Sequence, residues 1–204
     1  MKIGVLAMQG SYALHVKSLL ACGVEPVLVK RSSHLEGLAG IILPGGESTT
    51  FHIVMSEDDL LERLKHSIAN GLPTWGTCAG AIMLGYGEGR PQPRWNLINV
   101  EVIRNAYGRQ LDSFIAPLKF KGIAGEVISG VFIRAPRFKI REQEDRRPRL
   151  SSGGVEVLAE CDGQPVAARQ GNIMVTAFHP ELTDDLRVHD LFIRGIRTVS
   201  KHHR

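Results

Sequence analysis

Gly76-Thr77-Cys78-Ala79-Gly80 stands between two apolar stretches, Leu72-Pro73-Thr74-Trp75 before it and Ala81-Ile82-Met83-Leu84 after it. The first reads as a short buried strand and the second as the start of a helix. A reactive side chain on a sharp strand-to-helix turn is the nucleophile elbow, commonly spaced Gly-x-Ser-x-Gly, with cysteine here in the central place. In so tight a turn, the positions two before and two after the nucleophile have little room for a Cβ. The following helix would turn unpaired N–H groups and a partial positive charge toward the sulfur, favouring the nucleophilic thiolate. A buried structural cysteine beside two packing glycines fits the same five residues. The pentapeptide alone leaves both readings open.

Working outward on the N-terminal side, Lys2 to Ala7 is an aliphatic run that predicts a first strand. Gln9-Gly10-Ser11 turns it into a helix with Ala13, Val16 and Leu20 on one side, ending at Gly23. Glu25 to Lys30 and Gly40 to Pro44 are the next strands, the latter apolar throughout and so buried on both faces. Gly45-Gly46-Glu47-Ser48-Thr49-Thr50 follows. A phosphate loop is disfavoured, because the lysine is absent and Glu47 would repel a phosphate. A glycine pair at a strand's C-terminal end can instead offer backbone N–H groups to an oxyanion, and Ser48 can equally cap a helix. Ser56 to Asn70 is a helix with Leu60, Leu61, Leu64 and Ile68 as its stripe, capping-box spacing at Ser56 and Asp59, and Gly71 as its stop. Strands alternating with helices predict a mostly parallel sheet.

Beyond the elbow, Gly87 to Trp95 reads as a loop. From Asn96 to Ala177 the pattern changes to short strands: Leu97–Ile103, Gly130–Arg134, Val155–Ala159, Val166–Ala168 and Ile173–Ala177. These predict an antiparallel or mixed extension of the sheet. Arg141 to Arg149 is dense in both charge signs and reads as an exposed loop. Ile173 to Phe178 runs into His179-Pro180-Glu181, where in extended chain His179 and Glu181 face the same way, so the carboxylate can fix which imidazole nitrogen stays basic. An amphipathic helix with Val188, Leu191, Phe192, Ile196 and Val199 toward the core ends the chain. The expected fold is α/β, a mostly parallel central sheet flanked by helices, in one domain over residues 1–204.

The bulk properties narrow the classes. The 204 residues carry 25 Lys and Arg against 21 Asp and Glu, a net charge of +4 with part of it in the C-terminal tail. With few aromatics and no basic-aromatic motif, nucleic acid is not an expected partner. Cys22, Cys78 and Cys161 form no pairs and match no metal spacing, which suggests a reducing, cytoplasmic setting with no metal. No run is long and apolar enough to span a membrane, and the N-terminal run is too short for a signal peptide.

Gly-x-Cys-x-Gly followed far downstream by Phe178-His179-Pro180-Glu181 resembles the class I, triad-type glutamine amidotransferases. Leu43-Pro44-Gly45-Gly46-Glu47-Ser48-Thr49-Thr50, Arg104-Asn105-Ala106-Tyr107-Gly108-Arg109-Gln110, Gly130-Val131-Phe132-Ile133-Arg134-Ala135-Pro136 and Phe178 to Thr183 narrow the resemblance to the glutaminase subunits of pyridoxal 5′-phosphate synthase. Two departures are a longer charged insert near 142–153 and Met8 where the family commonly has Leu. The resemblance implies a flavodoxin-like fold and no cofactor. It makes Cys78 the nucleophile, His179 the base and acid, and Glu181 its orienter. It implies that Gly46, Glu47, Ser48, Arg104, Ile133 and Arg134 bind L-glutamine, with the N–H groups of Gly46 and Ala79 at the oxyanion. It also implies a hetero-oligomeric, ammonia-accepting synthase subunit as partner. A cysteine hydrolase or peptidase with the same triad, a non-catalytic binding module, and a glutaminase serving another synthase remain as alternatives at this stage.

Overall fold

The computed structural model describes residues 1–7, 10–46, 59–87, 94–103, 113–125, 127–141 and 153–201. Four strands make the centre of the main sheet: β1 (Lys2–Leu6), β3 (Gly40–Leu43), β4 (Thr74–Thr77) and β11 (Ile173–Thr176). Every residue of β3, β4 and β11 is buried, as expected of parallel strands covered on both faces. With β2 (Glu25–Val29), β9 (Glu156–Cys161) and β10 (Gln164–Gln170), they form a seven-stranded sheet of order β2-β1-β3-β4-β11-β10-β9. The first five are mutually parallel, and β10 and β9 are added antiparallel.

The register sets where chemistry can happen. Leu43 pairs with Gly76, and Thr176 pairs with Thr77, so β3, β4 and β11 end at one edge. Gly45, Cys78 and His179 follow those three ends within three residues. Parallel sheets place ligands at this carboxyl edge.

Helices cover both faces. Alternation along β4 sends Trp75 and Thr77 to one side, against α1 (Tyr12–Ala21) and α4 (Arg187–Lys201). Gly76 faces the other side, against α3 (Ala79–Leu84). The helix α2 (Leu60–Ala69) buries Leu60, Leu64 and Ile68, with Leu61 partly buried beside them. Its predicted start at Ser56 lies outside the described residues.

Several sequence expectations are corrected. The strand before the elbow is not Leu72–Trp75 but Thr74–Thr77, so it runs right up to Cys78. On α1 the buried residues are His15, Ser18 and Leu19, whereas Ala13 is exposed, Val16 half-buried and Leu20 59% exposed. A side-chain network reaching His15 turns that face inward. On α4, His189 and Ile193 are buried beside Val188, Phe192 and Ile196. The later strands are not all an extension of the main sheet. β5 (Val100–Ile103) pairs with β8 (Arg137–Ile140), and β6 (Ser113–Leu118) pairs with β7 (Ile128–Ile133), as two separate antiparallel ribbons. Strands β6 and β8 were not expected. Stacking of Phe114 on Phe132, and of Phe132 against Phe178, fastens the second ribbon to the segment that carries His179.

Candidate active site

Cys78 caps α3 with φ 47° and ψ −100°. A non-glycine residue in the left-handed half of the map is uncommon and is held there only by its surroundings. Those surroundings are glycines. A Cβ on Gly76 would come 2.7 Å from the Gly80 carbonyl carbon and from Leu84 Cδ1, and one on Gly80 would overlap the Leu43 carbonyl. The spacing Gly-x-Cys-x-Gly is thus a packing requirement of β3, β4 and α3 meeting at one point. Cys78 N–H is tied to the Thr176 carbonyl at 2.8 Å, which locks the elbow to β11.

Gly45 occupies the other wall. A Cβ there would lie 3.0 Å from His179 Nδ1 and 3.3 Å from Cys78 Cβ, so the loop after β3 passes directly against both residues. Its N–H donates to Thr77 Oγ1 at 2.9 Å, and its carbonyl accepts from Ser11 N–H at 3.3 Å. Gly46 is exposed at the end of this loop, and Ala79 is the buried first residue of α3.

His179 and Glu181 are joined by a turn rather than by extended chain, because Pro180–Leu182 forms a 3₁₀ helix. Tight turning still brings His179 Nδ1 to 2.8 Å from Glu181 Oε1. His179 N–H donates to the Val131 carbonyl at 2.8 Å, so the ring is positioned by β7 as well as by β11. Cys78 lies against the same wall as this ring and interacts with it. Burial disfavours the imidazolium, but the hydrogen bonds and charges of Cys78 and Glu181 overcome it and push the His179 pKa up to about 10. Burial likewise opposes the Glu181 carboxylate. Interaction with His15, the His179 hydrogen bond and charge, and the Ser11 hydroxyl hold its pKa down to about 2. A thiol, an imidazolium and a buried carboxylate in series have the connectivity of an activated cysteine nucleophile.

Four neighbours carried no sequence expectation of a site role. Ser11 Oγ donates to Glu181 Oε1. Thr77 Oγ1 accepts from Gly45 and lies 3.4 Å from His15 Nε2. His15 Nε2 is 3.4 Å from Glu181 Oε2, and His189 Nε2 is 3.0 Å from His15 Nδ1. The one available signal was on α4, where His189 continues the Val188, Phe192, Ile196 stripe.

Among the expected glutamine-binding residues, Ile133 and Arg134 are exposed at the end of β7, just past the Val131 that holds His179. Arg134 has φ 44°. Glu47, Ser48 and Arg104, like Met8 and residues 142–152 of the charged insert, lie outside the described residues. No cluster among the described residues could hold a metal ion.

Known proteins resemble the chain over nearly its whole length. The pyridoxal 5'-phosphate synthase subunit PdxT of Moorella thermoacetica is 47% identical over 197 residues, covering 96% of this chain and 100% of that protein. The corresponding subunit of Carboxydothermus hydrogenoformans is 45% identical and covers 96% and 98%. A solved structure titled as a glutamine amidotransferase superposes with a TM-score of 0.80 at 40% identity, over 95% of this chain and 98% of that one. Residues 5–198 match one family along their whole length, and the chain belongs to it: the SNO glutamine amidotransferase family.

Proposed function

We propose that this chain is the glutaminase subunit of a pyridoxal 5′-phosphate synthase, hydrolysing L-glutamine to glutamate and ammonia in a reducing, cytoplasmic setting. The observation that carries it is the series of half-buried Cys78 and buried His179 and Glu181 at the carboxyl edge of the sheet, in a chain nearly coextensive with the PdxT subunits. Cys78 attacks the side-chain amide carbon, and the tetrahedral oxyanion is met by the N–H groups of Gly46 and Ala79. His179 delivers its proton to the departing ammonia, leaving a thioester. Water, deprotonated by His179, then attacks the thioester and glutamate leaves. Glu181 keeps the ring in the tautomer that both half-reactions need. Glu47, Ser48, Arg104, Ile133 and Arg134 are proposed to hold the glutamine backbone, with arginine suited to its α-carboxylate.

Ammonia released without an acceptor is wasted, so the partner is proposed to control the rate. The Gly45 carbonyl is held by Ser11 N–H. In a trans peptide the Gly46 N–H points the opposite way, and turning it costs that bond. Docking of the synthase subunit would set this peptide for the oxyanion, one such donor being worth about 3 kcal/mol, or roughly a hundredfold in rate. The test is the glutaminase rate with and without the pyridoxal phosphate synthase subunit and its sugar phosphates. Acceleration on the order of a hundredfold supports the reading. An isolated chain already at full rate, or a synthase that neither binds nor accelerates it, defeats the assignment to this pathway.

A further inference from the structure

Behind Glu181 lie two histidines that the proposed chemistry leaves unused. His15 comes from α1 and His189 from α4, and both have 0% exposure. Their rings form a cluster with Trp75 of β4, at centroid separations of 5.5 Å for His15–Trp75, 4.9 Å for Trp75–His189 and 5.2 Å for His15–His189. Their nitrogens form a line: His189 Nε2 to His15 Nδ1 at 3.0 Å, then His15 Nε2 to Glu181 Oε2 at 3.4 Å. Glu181 Oε2 is buried and accepts no hydrogen bond, whereas Oε1 takes both Ser11 and His179.

The tautomers follow from where a proton is tolerable. If His15 carried its hydrogen on Nδ1, a bare Nε2 lone pair would face a carboxylate oxygen. His189 would then carry its hydrogen on Nδ1, which is buried with no partner. The opposite arrangement has His189 Nε2–H donating to His15 Nδ1, and His15 Nε2–H donating to Thr77 Oγ1 with Glu181 Oε2 alongside at 3.4 Å. It leaves only a lone pair orphaned on His189, which is the lesser fault. Both rings are then neutral, in line with burial pushing His15 down to about 4 and His189 to about 3.

We propose that His15 and His189 are positioning residues of the glutaminase site: His189 fixes the tautomer of His15, and His15 sets its Nε2 edge 3.4 Å from Glu181 Oε2, backing the carboxylate so that Oε1 meets His179. This rests on the glutaminase reading of Cys78, His179 and Glu181. A neutral ring suits the place. It steadies the carboxylate without cancelling the charge that His179 needs opposite it. Thr77, 3.4 Å from the same nitrogen, joins the cluster to the Gly45 loop.

The test compares His15→Phe, which fills the space without a donor, with His15→Gln, which retains a side-chain N–H. Glutamine hydrolysis is measured in the presence of the synthase subunit. His15→Phe should lower kcat roughly tenfold or more, by analogy with lost outer-shell partners of catalytic groups, while KM stays within about twofold. His15→Gln should recover most of the loss. Wild-type kcat in His15→Phe, or equal impairment in both variants, overturns the inference while leaving the glutaminase reading intact. If His15→Phe does not fold, His189→Phe decides: reduced kcat at unchanged KM supports the proposal, and wild-type kcat overturns it. A wild-type chain that hydrolyses no glutamine with the synthase subunit present defeats the glutaminase reading and this inference together.

Discussion

Cys78 combines a backbone conformation costing on the order of 1–3 kcal/mol with a side chain beside an imidazolium, and the other two cysteines share neither feature. Burial and then Asp190 push the Cys22 thiol up, and burial and then Asp162 do the same for Cys161. An electrophilic glutamine analogue is therefore expected to label Cys78 alone, and Cys78→Ala should abolish both labelling and hydrolysis without unfolding the chain. Peptide mapping after labelling checks this, and comparable modification of Cys22 or Cys161 would remove Cys78 from its proposed role. The meeting of His179 with Glu181 was legible in the sequence because the two share one short motif, although a turn and not extended chain brings them together. Ser11 and His15 were not, because their partners are remote. Ser11 lies 170 residues from Glu181 and His15 lies 174 from His189, and no periodicity of one helix reports a contact of that range.

Among the elements, the elbow shows how glycine placement sets a site. Gly80 has the Leu43 carbonyl where its Cβ would be, and backbone cannot yield as a side-chain tip can. Gly80→Ala should therefore destabilise the fold by about 2 kcal/mol or more. Gly195, inside α4, has nothing within 4 Å of an added Cβ, so Gly195→Ala should be neutral or stabilising by up to about 1 kcal/mol. Urea unfolding of the two variants measures the contrast. Equal effects would mean that β3, β4 and α3 do not meet as closely as described. β3 was readable because a run buried on both faces is apolar throughout, whereas β4 is Thr-Trp-Gly-Thr, and its polar letters shifted the expected bounds by two residues. The α1 face was misread because a helix that buries His15 and Ser18 to serve a polar network hides its inward side among polar letters. The two ribbons, β5 with β8 and β6 with β7, were hard to separate from the main sheet for a related reason. Alternation identifies a strand but does not name its neighbour.

For the molecule as a whole, the buried histidines make stability depend on pH in a way that surface charges would not. His15 and His189 have native pKa values of about 4 and 3 against 6.5 when unfolded. Below pH 6.5 the unfolded chain thus binds more protons than the native one, and stability falls as the pH drops. His179 has the opposite sign. Raised to about 10, it contributes stability that is complete below 6.5 and is lost as the pH climbs toward 10. Glu181, lowered to about 2 from 4.5, contributes stability present above 4.5 and lost toward 2. These four groups together place the optimum near neutrality, with an acid limb that begins well above the carboxylate range. Each histidine that must charge on unfolding adds a slope of up to about 1.4 kcal/mol per pH unit, so the wild-type chain should lose about 2 kcal/mol or more between pH 7 and pH 5. His189→Phe removes one titrating group and should shrink that loss, whatever it does to stability at pH 7. Urea titrations of both proteins at the two pH values measure the difference directly. A wild-type chain equally stable at pH 5 and pH 7 would mean that His15 and His189 are not held neutral, and the tautomer chain leading to Glu181 would have no basis.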